Sequence, residues 1–277
     1  MIVKSVLNNS ALIAFNDKKE GCVLIGKGIA FNKHAGDKVD DAKVEKIFSS
    51  HQSRTDELIE LLEDVPEKVF EITNAIIRYA NRKLKTELNS GIYVTLLDHV
   101  NSAIERFSEG IVLDFGMLDE VQMMYPKEYE IACWALDYIN ATLDMDIPID
   151  ESGFIAIHII ANSSKGMDTG IAKKVLRITR DITKIIEEYY NVNLDTTGIT
   201  YSRFITHAKY LALRYINHSQ IEEQEDNIFT LNPNVVEKTK EVIGILNDRL
   251  NETYGQSLSK YEKMYLTIHI CRLLKIS

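Results

Sequence analysis

The segment FIAIHI at residues 154–159 recurs as YLTIHI at residues 265–270. Each segment places one histidine inside a run that is otherwise almost wholly apolar. A single histidine in such a run is most often a hydrogen-bonded core residue. Two histidines in matching frames indicate that the chain repeats a structural unit, and a repeat of this kind determines the fold class.

The similarity extends from these segments toward the N-terminal side of each copy. Residues 242–270 align with residues 131–159 without a gap, and residues 204–215 align with residues 96–107. Apolar residues in both copies recur at the spacing of helices. Four of the seven histidines fall on two positions of the repeat, which pairs His99 with His207 and His158 with His269.

Helix-start signals divide the copies into individual helices. Pro66 and Pro126 are placed to open two helices, because proline fits the first helical turn. The cluster Asp150-Glu151-Ser152 is placed to open a third helix, before the first histidine segment. In the helix that contains His99, we expect one apolar face to consist of Leu96, Val100, Ala103 and Phe107.

The first 31 residues have the different pattern of short strands. Runs rich in β-branched and aromatic residues are separated by polar turns at residues 8–10 and 16–21. A third run, residues 22–31, contains two glycines, which predict a bend, a bulge or a close approach of another backbone. Residues 41–48 are expected to form two helical turns. The sequence thus predicts a small β domain followed by two all-helical domains.

Charge is unevenly distributed along the chain, whose net charge is −9. Residues 1–55 contain nine Lys/Arg and six Asp/Glu, a balance of +3, so that the remaining residues carry −12. A basic N-terminal domain and an acidic body indicate that the N-terminal domain meets an anion.

The composition and the N-terminal segment favour a cytoplasmic protein without membrane insertion. Cys22, Cys133 and Cys271 are far apart and have no disulfide or metal-site spacing, which is typical of a reducing compartment. No apolar run approaches the roughly 20 residues that a membrane-spanning helix needs. The N-terminus lacks the basic start and apolar stretch of a signal peptide.

The repeated histidines admit three interpretations: buried structural residues, metal ligands, or acceptors of a phosphoryl group. Metal ligands on a helix usually lie at i, i+3 or i+4 and have Cys or Asp/Glu neighbours, which these histidines lack. A neutral imidazole is a nucleophile, and a phosphoryl group adds close to two negative charges that an arginine can sense. Arginines follow on the same helix faces, at Arg106, Arg214 and Arg272.

With these residues the chain resembles the BglG/SacY-type transcriptional antiterminators, bacterial regulators of sugar-utilisation operons. In the N-terminal domain the resemblance rests on Asn8-Asn9, GKGIAF at residues 26–31 and Val44-Glu45-Lys46. In the repeats it rests on Asp98-His99 with GFIAIHI in the first copy and on YSRFITH at residues 201–207 with YLTIHI in the second.

The resemblance covers the whole chain and implies its architecture. We expect a multidomain protein with a small N-terminal antiparallel β-sheet domain and two homologous all-α helical-bundle domains. Residues 1–55 would form a co-antiterminator RNA-binding domain. Residues 65–166 and 171–277 would form two phosphotransferase-system regulation domains (PRDs).

The resemblance also implies a mechanism and its partners. A homodimer of the β domain would bind an RNA hairpin of the nascent mRNA leader and prevent a terminator from forming. Phosphorylation of His99 and His158 by a sugar-specific phosphotransferase permease (EII) would silence the protein. Phosphorylation of His207 and His269 by HPr would promote its activity.

RNA contacts are implied in the first turn and in the glycine-containing run, at Asn8, Asn9, Ser10, Gly26, Lys27, Gly28 and Phe31. Many family members have arginine at the position of Lys27 and asparagine at that of Ser10. No enzymatic activity, catalytic residue, metal or cofactor is expected. The alternatives are a histidine-based, metal-dependent sensor and a PRD regulator that acts on DNA through a helix-turn-helix head.

Overall fold

The chain forms two compact units. The first contains residues 1–115 and 127–166, and the second contains residues 116–126 and 167–277. The computed structural model describes residues 1–16, 20–49, 54–163, 167–221 and 233–276, without the side chains of residues 233–236. Residues 17–19 of the polar turn expected at residues 16–21 therefore lie outside the described residues.

The first unit begins with a four-stranded antiparallel sheet in the order β1-β2-β3-β4, which confirms the antiparallel sheet expected for the N-terminal domain. Its strands are β1 (Ile2–Asn8), β2 (Ala11–Phe15), β3 (Gly21–Ile25) and β4 (Lys46–Ser49). Alternate strand residues bury one face of the sheet beneath the loop that follows β3. This small core consists of Val3, Leu12, Ala14, Cys22, Leu24, Ile29, Ala30 and Val39.

Two local expectations for the sheet need correction. The third run does not continue to residue 31, because β3 ends at Ile25 and the chain turns at Gly26. A Cβ at Gly26 would lie 1.8 Å from the carbonyl oxygen of Lys43, so the close backbone approach is confirmed. The helix expected at residues 41–48 is only a 3₁₀ turn at Asp41–Lys43, followed by β4.

Strand β4 forms because its apolar residue is buried by tertiary contacts. Phe48 pairs with Val23 across the sheet, and its ring packs edge-on against Tyr93 at 5.3 Å between centroids. Phe48 is 4% exposed. A helix over residues 41–48 would give up both contacts, so packing overrides the local pattern.

Ten helices follow the sheet in the described part of the chain. Their bounds are α1 (Thr55–Asp64), α2 (Glu67–Leu84), α3 (Ile92–Ser108), α4 (Leu118–Met124), α5 (Pro126–Leu143), α6 (Asp150–Ser163), α7 (Thr169–Tyr190), α8 (Ile199–Ile216), α9 (Pro233–Tyr254) and α10 (Lys260–Leu274). We call α2, α3, α5 and α6 the first repeat, and α7 to α10 the second repeat. Helix α4 belongs to the second unit.

The helix-start signals were predictive. Helix α2 begins directly after Pro66, α5 begins at Pro126, and α6 begins at Asp150. The expected apolar face of α3 is buried at Leu96, Val100 and Ala103, whereas Phe107 is half-buried. None of the helices within the described ranges is long and apolar enough to cross a membrane.

Candidate functional site

The first repeat brings its two histidines together, although they are far apart in sequence. His99 lies on α3 and His158 on α6, and these two helices pack against each other. The two rings are stacked, with centroids 4.8 Å apart and an angle of 28° between planes. Phe154, one turn before His158, lies 5.8 Å from the His99 ring. The helix packing thus assembles one site from two sequence positions.

A nearly buried carboxylate connects this histidine site to an arginine. The Oε2 atom of Glu151 lies 3.1 Å from Nε2 of His99, and its Oε1 accepts a hydrogen bond from Arg106 at 3.2 Å. Burial raises the pKa of the Glu151 carboxyl, but His99 and Arg106 lower it more, so the pKa is below its usual value. Glu151 is therefore ionised at neutral pH and faces the imidazole.

The second repeat stacks its own pair more closely. His207 on α8 and His269 on α10 have ring centroids 3.6 Å apart and an interplanar angle of 21°. His269 is only 9% exposed, whereas His207 is half-buried. The outer imidazole is thus the one that a partner reaches first.

The groups around the second pair differ from those around the first. The hydroxyl of Tyr265 lies 2.6 Å from Nδ1 of His207, where the first repeat has Phe154. Glu262 contacts no histidine, because it forms a bidentate ion pair with Arg214, with two hydrogen bonds of 2.7 Å. The carboxylate that faces a histidine in the first repeat is therefore held away by arginine in the second.

Both histidines of the second repeat are biased toward the neutral form. Burial, then Arg272 and Arg214, lower the pKa of His207. Burial, then His207 and Arg272, lower the pKa of His269 to about 4. A neutral imidazole keeps one nitrogen lone pair free for attack on phosphorus.

The sequence assigns the four histidines to two equivalent positions of the repeat, but it does not identify the side chains that distinguish the first pair from the second. Glu151 and Glu262 occupy equivalent positions of the repeat, and that coincidence was the available signal. The contact of Tyr265 with His207 carried no such signal, since Tyr265 differs from its counterpart Phe154. Only the folded helices show which charges surround each imidazole.

The first turn of the β domain presents one of its three expected RNA-binding side chains to solvent. Asn8 uses its Oδ1 to accept a hydrogen bond from the backbone N–H of Ser10, which is 4% exposed. Asn9 is exposed, and both its backbone N–H and its Nδ2 donate to the carboxylate of Glu67 at 3.0 Å. Asn8 and Ser10 thus shape the turn, and Asn9 offers the donors.

The glycine-containing run presents two further exposed side chains. Phe31 is 60% exposed and is therefore not part of the core, and Lys27 is also exposed. Gly28 has φ +62°, a backbone conformation that residues with a side chain rarely adopt. Gly26 packs directly against the backbone carbonyl of Lys43. An exposed aromatic ring and an exposed cation on the same short run suit base stacking and phosphate contact. Gly26 serves the fold of this run.

The donor atoms around the histidines do not resemble a metal site. In the part of the chain that the structure describes, no group of three or more His, Cys, Asp or Glu side chains could hold a metal ion. Each site has two imidazoles, and in the second repeat the flanking groups are arginines. A cation is not attracted to the surroundings of the second pair.

Comparison with protein families divides the chain into the same kinds of domain. Residues 1–57 match the CAT RNA binding domain. Residues 54–162 and 180–273 match the PRD domain. The first and second repeats lie within these two PRD matches, apart from the start of α7 and the ends of α6 and α10.

Relatives match over the full length. The chain is 31% identical over 276 residues to the transcription antiterminator LicT of Bacillus subtilis (strain 168), which covers 99% of both chains. It is 31% identical over 281 residues to the beta-glucoside operon antiterminator of Dickeya chrysanthemi, with 99% of this chain and 96% of that protein covered. The crystal structure of GlcT CAT-PRDI matches with a TM-score of 0.54 and 38% identity, covering 58% of this chain and 96% of that chain.

Proposed function

The chain belongs to the family of transcription antiterminators that join a CAT RNA-binding domain to two PRD domains, and we propose that it controls a sugar-utilisation operon through a hairpin in the nascent mRNA leader. It is an RNA-binding antiterminator regulated through its PRDs. We place the CAT domain at residues 1–55, the first PRD at 65–166 and the second at 171–277. The protein acts in the cytoplasm as a homodimer.

The observation that carries the regulatory part of the proposal is the pair of stacked histidines in each repeat. Histidines that serve only the core do not need a second imidazole at 4.8 Å or 3.6 Å. Two adjacent imidazoles in both repeats suit phosphorylation, since either ring offers a nitrogen nucleophile to a protein donor. HPr donates to His207 and His269, and a sugar permease donates to His99 and His158.

The RNA part of the proposal rests on the exposed groups Asn9, Lys27 and Phe31. Hairpins with bulges are recognised through backbone shape and a few splayed bases, so an aromatic ring, an amide and a cation on one small domain suffice. Prevention of the terminator follows, because a held hairpin cannot rearrange into the competing structure.

Binding of the full-length protein to a labelled bulged hairpin, transcribed from the leader beside its gene, tests the RNA part. We expect the hairpin to be bound and duplex DNA of the same sequence to be ignored. Phe31→Ala should weaken binding by about 1–3 kcal/mol, the range for one base–aromatic stack. Lys27→Gln should weaken binding more than Lys4→Gln, the matched charge change on β1. Equal binding to the DNA duplex would overturn the proposal.

An antitermination reporter tests the regulatory part. The double variant His99→Ala/His158→Ala should remain active without the inducing sugar, whereas His218→Ala, an exposed histidine outside both pairs, should be silenced as the wild type is. A double variant that is still silenced contradicts the assignment of the first pair. Phosphoenolpyruvate and the phosphotransferase proteins should also give acid-labile label on the four paired histidines.

A further inference from the structure

The second repeat contains a cavity of about 250 Å³ at its histidine pair. Its lining includes His207 and His269 together with two arginines, Arg203 and Arg272. Thr200, Phe204 and Leu273 complete the wall. A cavity with two imidazoles and two guanidinium groups has the chemistry of a site for a small dianion.

Helix geometry explains why the arginines face the histidines. Arg203 precedes His207 by one turn of α8, and Arg272 follows His269 by three residues on α10. Residues three or four positions apart lie on one face of a helix, so each arginine shares the face of its histidine. Because α8 and α10 pack together, the two faces meet at the cavity.

Both arginines are free to bind an anion. Neither Arg203 nor Arg272 forms an ion pair or hydrogen bond with any residue that the structure describes, and both are exposed. Arg214, in contrast, is occupied by Glu262 through two hydrogen bonds. In the second repeat Glu262 therefore neutralises Arg214, whereas Arg203 and Arg272 remain unpaired beside the imidazoles within the described residues.

We propose that Arg203 and Arg272 form a guanidinium clamp that binds the phosphoryl group on the histidine pair of the second repeat, and that the first repeat has no such clamp. The inference rests on the proposed phosphorylation of this pair. A phosphoryl group brings close to two negative charges, which the two guanidinium groups match. Arginine also offers paired N–H donors to phosphate oxygens, which a point charge does not.

The transfer step needs no group beyond the proposed donor, a phosphohistidine of HPr. The lone pair of an unprotonated ring nitrogen in the cavity forms the new N–P bond. The N–P bond to the donor histidine breaks, and its electron pair returns to the donor imidazole, which takes up a proton. The acceptor ring releases the proton from its other nitrogen. For His207 the attacking atom is Nε2 in the tautomer whose Nδ1–H donates to the hydroxyl oxygen of Tyr265.

The first repeat lacks both members of the clamp. The positions equivalent to Arg203 and Arg272 are Thr95 and Ala161. Its His99 faces the carboxylate of Glu151 instead. A phosphoryl group at that nitrogen meets a negative charge at about 3 Å, whereas one in the second repeat meets positive charges.

Phosphorylation of the full-length chain by HPr, with the label assigned to individual histidines, tests the clamp. The variant Arg203→Gln/Arg272→Gln should lose at least about tenfold of its label on His207 and His269, since two charged hydrogen-bonding groups are removed. The control is Arg177→Gln/Arg249→Gln, which removes two exposed arginines from the same unit. Arg203→Lys/Arg272→Lys should recover part of the labelling rate but leave the phosphohistidine shorter-lived than in the wild type.

The outcomes separate the clamp from the proposed function. Equal labelling of the glutamine variant and the wild type overturns the clamp and leaves the function in place. An equal loss in the control variant also overturns it, because net charge alone then accounts for the effect. A wild-type chain without label on His207 and His269 overturns both proposals.

A different observation, in the first unit, carries a second inference. Glu67, the first residue of α2, accepts two hydrogen bonds from Asn9, one from the backbone N–H and one from Nδ2, both of 3.0 Å. Glu45 similarly accepts a bond from the backbone N–H of Lys27 at 3.3 Å while it pairs with Arg78 at 2.9 Å. Carboxylates thus occupy donors at the proposed RNA-binding positions.

The geometry points to an autoinhibitory contact in which Glu67 competes with RNA for the donors of Asn9. A carboxylate with two oxygens on two neighbouring N–H groups occupies the place that an RNA phosphate or base acceptor needs. This inference rests on the proposed RNA-binding role of Asn9. Because Glu67 belongs to the first PRD, the contact between Glu67 and Asn9 makes RNA binding depend on the packing of that domain against the sheet.

RNA affinity of the full-length chain tests this contact. Glu67→Ala should bind the leader hairpin about fivefold or more tightly than wild type, as expected when one charged hydrogen-bonding competitor is removed. Glu71→Ala, an exposed acid one turn further along α2, is the matched control. Unchanged or weaker binding by Glu67→Ala, or an equal gain in Glu71→Ala, overturns the competition. A wild-type chain that ignores the hairpin overturns the proposed function with it.

Discussion

The two repeats hold the same pair of histidines in opposite electrostatic surroundings. In the first, the carboxylate of Glu151 lies 3.1 Å from the imidazole of His99. In the second, the equivalent Glu262 is bound by Arg214 and the imidazole of His207 contacts a tyrosine hydroxyl. Duplicated sequence positions have thus acquired different chemistry through the partners that the folded helices supply.

The difference gives the proposed phosphorylation opposite electrostatic consequences in the two repeats. A phosphoryl group added next to Glu151 repels that carboxylate and strains the bridge to Arg106. A phosphoryl group added beside the free arginines of the second repeat is attracted. A phosphoryl group would thus destabilise the packing of the first repeat and stabilise that of the second. Such opposite effects suit inhibition through one domain and activation through the other.

The largest expected effect tests the difference between the two carboxylates. Glu262→Gln should lower the free energy of unfolding by about 3 kcal/mol, because it leaves a partly buried arginine without its bidentate partner. Glu151→Gln should cost only about 1.5 kcal/mol, the lower end for a hydrogen bond between charged groups. Urea unfolding can report each unit, since the single tryptophan, Trp134, belongs to the first unit and circular dichroism detects both.

The control for this prediction is Glu252→Gln, an exposed acid on α9 with little expected effect. Similar losses from Glu151→Gln and Glu262→Gln would show that the two carboxylates support their repeats equally. The two repeats would then differ only in their histidine geometry and in their arginines, and not in the role of the carboxylate.

A second effect concerns phosphorylation of the first repeat. Glu151→Gln should raise the phosphorylated fraction of His99 about tenfold, because a carboxylate at this distance disfavours a phosphoryl dianion by on the order of 1.4 kcal/mol. Site-assigned labelling with the phosphotransferase proteins measures it. Glu109→Gln, an exposed acid near the end of α3, should leave the fraction unchanged. A fall in the fraction would instead make Glu151 a group that helps the transfer.

A third effect tests the hydroxyl that only the second repeat has. Tyr265→Phe converts the position to its counterpart in the first repeat and should lower stability by about 1 kcal/mol through the lost hydrogen bond to His207. Nitrogen NMR of the imidazole should also show a mixture of tautomers, since Nδ1 no longer has a fixed partner. An unchanged single tautomer would show that another group orients His207.

The smallest expected effect is a difference in pH dependence. His269 has a folded-state pKa of about 4, below its ordinary value of 6.5. Between these two pH values the unfolded chain binds a proton at His269 that the folded chain does not bind. Its contribution to stability is complete above pH 6.5 and is lost as the pH falls toward 4. Glu151, whose pKa lies below 4.5, loses its contribution only in more acidic solution.

Unfolding at pH 7 and at pH 6 measures this difference. The free energy of unfolding should fall further by circular dichroism than by Trp134 fluorescence. The extra loss should be below about 1 kcal/mol. The variant His269→Asn should remove the extra loss. A loss that survives this substitution would assign the pH dependence to groups outside the histidine pair.

Prediction from the sequence succeeded where an apolar pattern runs over many consecutive residues of one helix. Helices α3, α6, α8 and α10 were predicted because apolar periodicity and start signals agree within each of them. It failed for β4, a four-residue strand with one buried side chain, Phe48, whose partner Val23 is distant in sequence. A short segment of this kind does not determine its own conformation.

Sequence by itself determined the repeat, the four paired histidines and the β domain before them, because periodicity and matching frames are properties of the chain order. Tertiary structure alone decided that the histidines of each repeat stack, that Glu151 faces an imidazole while Glu262 faces an arginine, and that Arg203 and Arg272 share a cavity. The physical reason is that charge acts through distance in space, and helix packing sets that distance for residues about 60 positions apart.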